Sequence, residues 1–475
     1  MKRKEIVLWT LVAVALAANI WLPRQMRYKY SWDKDLAQRL ATEFCATRED
    51  VKEYIQKYVP DVTDEQIDKW TASGELEAMQ IGKRTMYFTA AARNLFRINP
   101  ELAAIKVAAD SKDEDLSKSG TSLSGHEDID AVTIPEIKRQ VLENLADGKE
   151  NPYFALPKRM KVTFTLTVHA NTLRPGQTLR CWLPLPRQDV ARQTDFKFIE
   201  AGANGAAYPV EQLTFSEPSH PHSSVYMEAK TVKNKPTVFH EIFEYTSSGE
   251  WHPIDPSKVL AYNVNDPEYK EYTAEREQHV IFTDRLKAAA DSVTAGIENP
   301  YLQAKAIYTW IDKTFPWASA RDYSTIENIP EYVLTNHHGD CGQVTLLFIT
   351  MCRYKGIPAR WQSGLMMHPG AGNLHDWGEV YFEGYGWVPV DQSFGITSYG
   401  GDFFLGGIEP YRMVINSDFG GNLDPEKKYP RSDTVDFQRG EVEWDKGNLY
   451  FTQWDYDFKI EYLDQGTVFL YHIRE

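Results

Sequence analysis

The sequence predicts a multidomain α+β protein from three observations. The chain has 475 residues, which is more than one hydrophobic core usually organises. Apolar residues recur at helical spacing over residues 51–59. From Val162 to Val168 they instead alternate with threonines, as in a half-buried antiparallel strand. The hydrophobic fraction of 42% and the charged fraction of 25% are typical of a folded globular chain.

Residues 1–25 have the pattern of an export signal. Basic residues at positions 2–4 precede an apolar run, and Ala15-Leu16-Ala17 has the small-x-small form that signal peptidase accepts. The apolar run continues through Leu22, which is long enough for a membrane anchor. A cleaved signal peptide and a retained anchor are therefore both open. In either case the sequence predicts an extracytoplasmic protein, in the periplasm or cell envelope.

The next two regions differ in composition. Residues 31–108 predict a helical module with a small hairpin, because Thr63-Asp64-Glu65-Gln66 fits a capping box and Gly82 lies in the middle of the hairpin pattern. Residues 110–128 are poor in apolar residues and rich in Ser, Lys, Asp and Glu, and they predict a flexible linker over residues 109–135.

Three more regions follow this linker. Residues 155–255 contain strand-like runs separated by turn signals, and they predict an antiparallel β-sandwich. Helical patterns at 271–290 and 301–315 lie in a core predicted over residues 270–400. Residues 401–475 predict a β-rich C-terminal extension.

The acidic balance of the chain restricts its partners. The formal net charge of −15 opposes binding to phosphate backbones and anionic lipid headgroups, so nucleic acid is not expected as a partner. Contact with a membrane is expected only through the N-terminal segment. The expected partner is a protein or peptide substrate, with cell-wall peptide as one candidate.

Cys341 is the cysteine whose position indicates chemistry. If Cys341 and Cys352 share a helix, the rise along it separates them too far for a disulfide. The run 344–353 is apolar and is ended by Gly356-Ile357-Pro358, which predicts a buried helix with Cys341 at its N-terminus. Unpaired backbone N–H groups and the macrodipole at that end are expected to lower the pKa of the thiol.

A histidine and a carboxylate follow at positions that suit a cysteine nucleophile. His375 begins a strand pattern that continues through Val380 and Phe382, and Asp391 ends the next strand pattern. Two adjacent strands joined at Gly384-Tyr385-Gly386 would bring Asp391 beside His375. An imidazole held by a carboxylate is the partner that a thiolate nucleophile needs.

Each of these residues also has a structural interpretation. Cys341 could be a small core residue, His375 could be a structural histidine, and Cys352 inside the apolar run indicates a packed thiol. The pair His337-His338 suggests a metal site with Cys341. Consecutive side chains diverge, however, and no ligand spacing follows, so neither a metal nor a cofactor is expected.

Four blocks around these residues resemble the transglutaminase-like core, in order and within about residues 295–395. They are Gly339-Asp340-Cys341, Arg353-Tyr354-Lys355-Gly356-Ile357-Pro358-Ala359-Arg360, His375-Asp376-Trp377-Gly378-Glu379-Val380 and Gly386-Trp387-Val388-Pro389-Val390-Asp391. The resemblance implies a papain-like arrangement, in which a helix carrying Cys341 packs on a sheet carrying His375 and Asp391.

The same resemblance implies acyl chemistry at Cys341. Its thiolate would form a thioester on a peptide or glutamine amide, with His375 relaying protons and Asp391 holding the imidazole tautomer. The backbone N–H of Cys341 and the side chain of Trp317 are the candidate oxyanion donors. Family members pass the acyl group to an amine or to water, so an acyltransferase and a cysteine peptidase or amidase both stay open. A catalytically idle scaffold that binds peptide or glycan is the alternative from another class.

Overall fold

The computed structural model describes residues 32–110 and 125–472. The predicted signal peptide or anchor at residues 1–25 lies outside these ranges, as do residues 111–124 of the predicted linker. Within the two described ranges, no helix is both long enough and apolar enough to cross a bilayer. The chain separates into two compact units, Met1–Arg93 and Asn94–Glu475.

The first unit is a small helical module with a hairpin. Its helices are α1 (Trp32–Glu43), α2 (Arg48–Gln56) and α3 (Asp64–Ser73), and its antiparallel strands are β1 (Ala78–Ile81) and β2 (Arg84–Tyr87). The capping box predicted at Thr63 is confirmed. Its hydroxyl accepts from Gln66 N, and the Gln66 side chain accepts from Thr63 N at 2.8 Å. Ile67 and Trp70 of the same helix are buried.

Helices occupy part of the region that its composition predicts as linker. Helix α4 spans Ala91–Ile98, α5 spans Pro100–Asp110 and α6 spans Glu127–Ala146. Residues 127–135 are therefore helical, contrary to the prediction. The composition of α6 is polar, but Ile134, Ile137 and Val141 recur at helical spacing and are fully buried. This one apolar stripe is enough to dock the helix.

Two antiparallel sheets form the β-sandwich. Their strands are β3 Phe154–Val168, β4 Thr178–Pro184, β5 Gln193–Ala203, β6 Ala206–Ala207, β7 Thr214–Phe215, β8 Ser224–Lys230, β9 Thr237–Trp251, β13 Gly407–Ile408, β15 Glu441–Trp444, β16 Gly447–Leu449, β17 Trp454–Tyr462 and β18 Thr467–His472. The larger sheet has the strand order β18-β17-β3-β9-β5-β6, with β13 also paired to β9, and the smaller has the order β16-β15-β4-β8-β7. The apolar residues of both sheets share one hydrophobic core.

The C-terminal residues 401–475 do not fold as a separate extension. Strand β15 pairs with β4, β17 pairs with β3, and β14 (Arg412–Asn416) pairs with β10 (Ala359–His368) in a third sheet. The region therefore completes sheets that begin far earlier in the sequence. Local alternation identifies such strands but does not identify their long-range partners, because strand pairing depends on tertiary packing.

The third sheet, called the core sheet below, consists of β10, β11 (Ala371–Phe382), β12 (Gly386–Val390) and β14, in the order β12-β11-β10-β14. The helices around it are α7 Pro267–Tyr272, α8 Asp284–Val293, α9 Pro300–Thr314, α10 Ile329–Asn336 and α11 Cys341–Tyr354. Helix α11 packs on β10 and β11. The helix predicted over 271–290 is interrupted, since Thr283 caps a new helix at Asp284. The multidomain α+β prediction is confirmed.

Candidate active site

Helix α11 begins at Cys341, as the sequence predicts. The Asp340 carboxylate caps it by accepting from Gln343 N at 3.1 Å, and the Gln343 side chain accepts from Asp340 N. The glycine at the next position is a steric requirement. A Cβ on Gly342 would lie 2.3 Å from the Tyr323 hydroxyl and 2.5 Å from Oδ2 of Asp376. The first turn of the helix is thus closely surrounded by polar groups.

His375 and Asp391 meet across the hairpin of β11 and β12. The antiparallel register pairs Gly378 with Val390, so the next residue, Asp391, extends past β12 toward the start of β11. His375 Nε2 lies 2.7 Å from Asp391 Oδ2, and the two residues are 4% and 0% exposed. With Nε2 engaged by the carboxylate, Nδ1 is the ring nitrogen left for a thiol.

Five donors hold the Asp391 carboxylate. Oδ2 receives hydrogen bonds from His375 and, at 2.7 Å, from Nη1 of Arg412. Oδ1 receives them from the backbone and hydroxyl of Ser393 and from the backbone of Phe394, at 3.1–3.2 Å. Burial alone would raise the pKa of this carboxyl, but His375 and Arg412 outweigh burial and lower it. The group is therefore an ionised acceptor at neutral pH.

His375 sits between two aromatic rings. The Trp377 ring stacks on it with centroids 6.0 Å apart, and the Phe394 ring meets it edge-on at 5.1 Å. Burial lowers the pKa of His375, the charge of Asp391 opposes this effect, and the charge of Arg412 adds to it. The imidazole is thus held in one orientation and rests mainly neutral near pH 7.

The thiol of Cys341 contacts a different carboxyl. Its Sγ lies 3.5 Å from Oδ2 of Asp376, the residue after His375, and no hydrogen bond joins Sγ to the ring of His375. Burial raises the pKa of Cys341 well above its usual value, and the nearby carboxylates of Asp376 and Asp340 raise it further. The predicted lowering of this pKa by the helix N-terminus is therefore wrong for the resting site, because burial and two carboxylates dominate.

Asp376 belongs to a cluster of carboxyl groups near the thiol, together with Asp340 and Asp436. Tyr323 donates to Oδ1 of Asp340 at 2.6 Å and lies 3.2 Å from Oδ2 of Asp376, while Gln438 donates to Oδ1 of Asp376 at 2.7 Å. Burial, and then the charges of Asp436 and Asp340, raise the pKa of Asp376 well above its usual range. Burial raises the pKa of Asp436 itself to about 7. Burial and the neighbouring carboxylates thus favour the protonated form of Asp376.

Trp317, the candidate oxyanion donor, is half-buried next to the nucleophile loop. It forms a parallel bridge with Gly339, two residues before Cys341. The guanidinium of Arg97 lies 4.5 Å from the centre of its ring, and Asn94 exchanges two hydrogen bonds with the backbone of Ser319. Helix α4 thus fixes the Trp317 segment, but the oxyanion role of this side chain stays a prediction.

The histidines ahead of Cys341 point to different partners. The ring of His337 stacks on Phe315, and the ring of His338 meets Tyr332 edge-on. The divergence expected of consecutive side chains is thus observed. Cys352 is fully buried within α11, and none of the four cysteines forms a disulfide.

One other group of side chains has the composition of a cation site. Ligand atoms of Asp130, His368 and Glu409 lie within 4.8 Å of one another, and all three residues are buried. Arg412 already donates from Nε to Glu409 Oε1, and His368 Nε2 lies 2.9 Å from Asp130 Oδ1. Because Arg412 already pairs with Glu409 and His368 already contacts Asp130, the protein's own side chains account for this group.

Sequence patterns missed these supporting residues. Arg412 and Glu409 were part of a predicted β extension, and Asp130 was part of a predicted linker. Only Asp376 had a local signal, since it is a charged residue inside a strand whose neighbours are apolar or aromatic. The others come together through contacts between residues far apart in sequence.

Comparison with known proteins agrees with this geometry. Residues 287–392 match the family model of the transglutaminase-like superfamily. This part of the chain is a transglutaminase-like core. The match includes Cys341, His375 and Asp391, so the resemblance of the four blocks is confirmed at the level of the family.

Two curated relatives of the chain carry the description of uncharacterised proteins. A protein of Haemophilus influenzae is 25% identical over 254 residues, which are 46% of this chain and 64% of that protein. YebA of Bacillus subtilis is 21% identical over 286 residues, which are 53% of this chain and 38% of YebA. The chain thus spans less than two thirds of the length of either relative.

Solved structures with some similarity have low identity to the chain. A candidate cysteine protease from Cytophaga hutchinsonii is 16% identical with a TM-score of 0.43, and the match covers 68% of this chain and 93% of that one. The periplasmic domain of TgpA from Pseudomonas aeruginosa is 14% identical with a TM-score of 0.26, covering 54% and 91% of the two chains.

Proposed function

We propose that the transglutaminase-like core forms a thioester between Cys341 and the acyl group of a peptide or glutamine amide, and passes that group to an amine or to water. The main support is the 2.7 Å hydrogen bond between His375 and Asp391. It orients a buried imidazole one residue away from the Asp376 side chain that contacts the thiol. A fixed imidazole with a carboxylate partner is the base that such a nucleophile needs.

The proposed steps need no cofactor. Cys341 gives its proton to His375, and the thiolate attacks the carbonyl carbon of the amide. The amine leaves after it takes the proton from His375. This leaving amine is ammonia when the acyl donor is a glutamine side chain. Water or an amine then attacks the thioester, gives its proton to His375, and releases the thiol.

The resting contacts define what must change for these steps to begin. Sγ of Cys341 has to leave Asp376 and approach Nδ1 of His375, which rotation about the Cα–Cβ bond of a side chain at a helix start permits. Catalytic hydrogen bonds often form only when substrate is bound. The N–H of Cys341 and the indole of Trp317 are the proposed oxyanion donors.

The first experiment measures alkylation of Cys341 by iodoacetamide as a function of pH, with peptide-resolved mass spectrometry. In the wild type we expect labelling that depends on His375 and falls at least tenfold in His375→Ala. Cys45, which is exposed on the first unit, is the internal control and should label equally in both proteins. Labelling of Cys341 that is indifferent to His375 would contradict the proposal.

A second experiment separates the reaction outcomes. The protein is incubated with glutamine-containing peptides, with and without a fluorescent primary amine, and the products are weighed by mass spectrometry. A gain of the amine identifies a transferase, a loss of ammonia with gain of water identifies deamidation, and a cut peptide identifies a protease. Each product should disappear in Cys341→Ala.

The idle scaffold remains a second candidate function, because the thiol donates its hydrogen bond to Asp376 rather than to His375. It predicts that peptide binds but no product forms, and that Cys341→Ala binds as tightly as the wild type. Retained binding without turnover, together with slow alkylation of Cys341, would favour this candidate over acyl transfer.

We also propose an extracytoplasmic location, on the strength of the pattern in residues 1–25. Alkaline phosphatase, which matures only outside the cytoplasm, can be fused after residue 30. We expect an active fusion, and an inactive one would contradict the proposal. Mass spectrometry of the mature N-terminus would then distinguish a cleaved signal peptide from a retained anchor.

A further inference from the structure

A row of buried ionic side chains continues from Asp391 away from the thiol. After Asp391 come Arg412, Glu409, His368 and Asp130, and all are 0% exposed. Arg412 donates from Nη1 to Asp391 and from Nε to Glu409. His368 Nε2 lies 3.5 Å from Glu409 Oε1 and 2.9 Å from Asp130 Oδ1. Arg412 thus lies between the carboxyls of Asp391 and Glu409, and His368 lies between those of Glu409 and Asp130.

Arg412 shares its Asp391 oxygen with His375. Both donate to Oδ2, at 2.7 Å each. The guanidinium also lies 4.3 Å from the ring centre of Phe394 and 5.5 Å from that of Trp377, the two rings that flank the imidazole. Arg412 and His375 are therefore held by the same carboxylate and the same aromatic pair.

Stability alone does not account for such a row. Ions lose hydration on burial, and apolar side chains of similar volume are often as stable as a buried ion pair. The row instead connects strand β14 and helix α6, which are far apart in sequence, to one oxygen of Asp391. Any movement of Arg412 would therefore change the geometry of the hydrogen bond between His375 and that oxygen.

We propose that Arg412 is a positioning residue for the Cys341–His375–Asp391 triad, and that Glu409, His368 and Asp130 hold it in place. This inference rests on the proposed function. Arg412 fixes the carboxylate in the orientation that the imidazole uses, and its charge helps to set the pH at which the thiol and imidazole exchange their proton. Helix α6 thereby contributes to the site through Asp130.

Charged and titratable groups surround the two exchanging groups on several elements. Those near His375 and Cys341 are Asp391 after β12, Arg412 on β14, Glu409 before β14, His126 before α6, Asp376 on β11 and Asp340 before α11. Removal of a cation from this set raises the pKa of both exchanging groups, and removal of an anion lowers it. Arg412 and Glu409 therefore give shifts of opposite sign.

The test compares the pH profile of Cys341 alkylation in Arg412→Met, Arg412→Lys and Glu409→Gln. We expect the midpoint to move upward in Arg412→Met, with at least a tenfold lower rate at pH 7. Arg412→Lys restores the charge, so its midpoint should stay near that of the wild type. Glu409→Gln keeps the shape of the side chain, and its midpoint should move downward.

Lys427 supplies a matched control in the β-sandwich. It is also a buried cation paired to a buried carboxylate, at 2.9 Å from Glu441. Lys427→Met should lower stability without moving the midpoint. If Arg412→Met does not fold, the test relies on the midpoints of Arg412→Lys and Glu409→Gln.

The outcomes separate this inference from the proposed function. Labelling of Cys341 that does not depend on His375 would contradict the proposed function itself. Labelling that depends on His375, but has the same midpoint in the wild type, Arg412→Met and Glu409→Gln, would overturn only the role of Arg412. A lower rate in Arg412→Met without rescue by lysine and without a shift in midpoint would likewise leave Arg412 a purely structural residue.

Discussion

At the scale of single residues, the contact between the Cys341 thiol and the Asp376 carboxyl determines how the nucleophile rests. A helix N-terminus favours a thiolate, yet burial and the carboxyls of Asp376 and Asp340 favour the neutral thiol. The retained proton protects the sulfur, because oxidation proceeds through the thiolate. It also means that the thiol has to turn from Asp376 toward His375 before the two groups can exchange a proton.

Asp376→Asn should make Cys341 more reactive. The asparagine keeps the shape of the side chain but cannot ionise, so a thiolate beside it no longer faces a negative charge. At an effective dielectric constant of ~20, a charge a few ångströms away contributes several kcal/mol, and we expect the alkylation midpoint to fall by about one pH unit or more. An unchanged or higher midpoint would show that Asp376 does not suppress the thiolate.

Gly342→Ala should damage the site and the fold together. The new Cβ would lie 2.3 Å from the Tyr323 hydroxyl and 2.5 Å from Oδ2 of Asp376. Overpacking of this kind costs about 1–3 kcal/mol, and displacement of these groups should change the alkylation rate of Cys341. Gly447→Ala is the control, because its nearest heavy atom is 3.5 Å from the new Cβ. Equal denaturation midpoints for the two variants would contradict this account.

At the scale of elements, the hairpin of β11 and β12 delivers the carboxylate to the imidazole. The register follows from alternating apolar residues and from glycines in the turn, and both are visible in the sequence. Gly384 and Gly386 have φ of +95° and +88°, where a side chain would strain the backbone. This explains why the pairing of His375 with Asp391 was predictable from local patterns.

Local sequence patterns predict some of the helices and strands but not others. Helix α11 has a continuous apolar run and strand β3 has apolar residues at alternate positions, and their sequence predictions hold. Helix α6 has only one narrow apolar stripe, so its polar composition reads as a linker. The pairing of β15 with β4, the pairing of β17 with β3 and the contact of His368 with Asp130 each join residues that are hundreds of positions apart, and a single sequence carries no local signal for them.

Gly386→Ala should destabilise the hairpin without disabling the site. No heavy atom lies within 4 Å of the new Cβ, so the cost is the left-handed backbone alone, about 1–2 kcal/mol. Asp391 keeps its five donors, and alkylation of Cys341 should remain dependent on His375. The free energy of unfolding is measured with urea, and Gly447→Ala should change it by less than about 0.5 kcal/mol. A loss of His375 dependence would mean that the turn, and not the donors, fixes Asp391.

At the scale of the whole molecule, buried carboxyls link stability to pH in two opposite directions. Asp391 has a lowered pKa in the folded state, so its contribution is present at neutral pH and is lost as the pH falls toward that pKa. Asp130, Asp376 and Asp436 have raised values, with burial as the largest cause. Their contribution is greatest in acid and is lost as the pH rises through the folded-state pKa.

Glu241 is the clearest example of a buried carboxyl with a raised pKa. It lies in the β-sandwich and not in the transglutaminase-like core. It is 0% exposed on β9, neither of its carboxyl oxygens has a hydrogen-bond partner, and burial raises its pKa well above the usual value. The folded protein therefore binds a proton that the unfolded chain releases above about pH 4.5, so stability falls as the pH rises, by at most about 1.4 kcal/mol per pH unit.

Glu241→Gln should remove this dependence while leaving the shape of the sandwich intact. We expect the variant to be more stable than the wild type at pH 7–8 and to differ least from it near pH 4, with the free energy of unfolding measured in urea across this range. The alkylation profile of Cys341 should not change, since Glu241 is not among the groups that raise the pKa of the thiol. If the difference between variant and wild type were constant with pH, Glu241 would be ionised in the folded protein, and its burial would need a compensating cation.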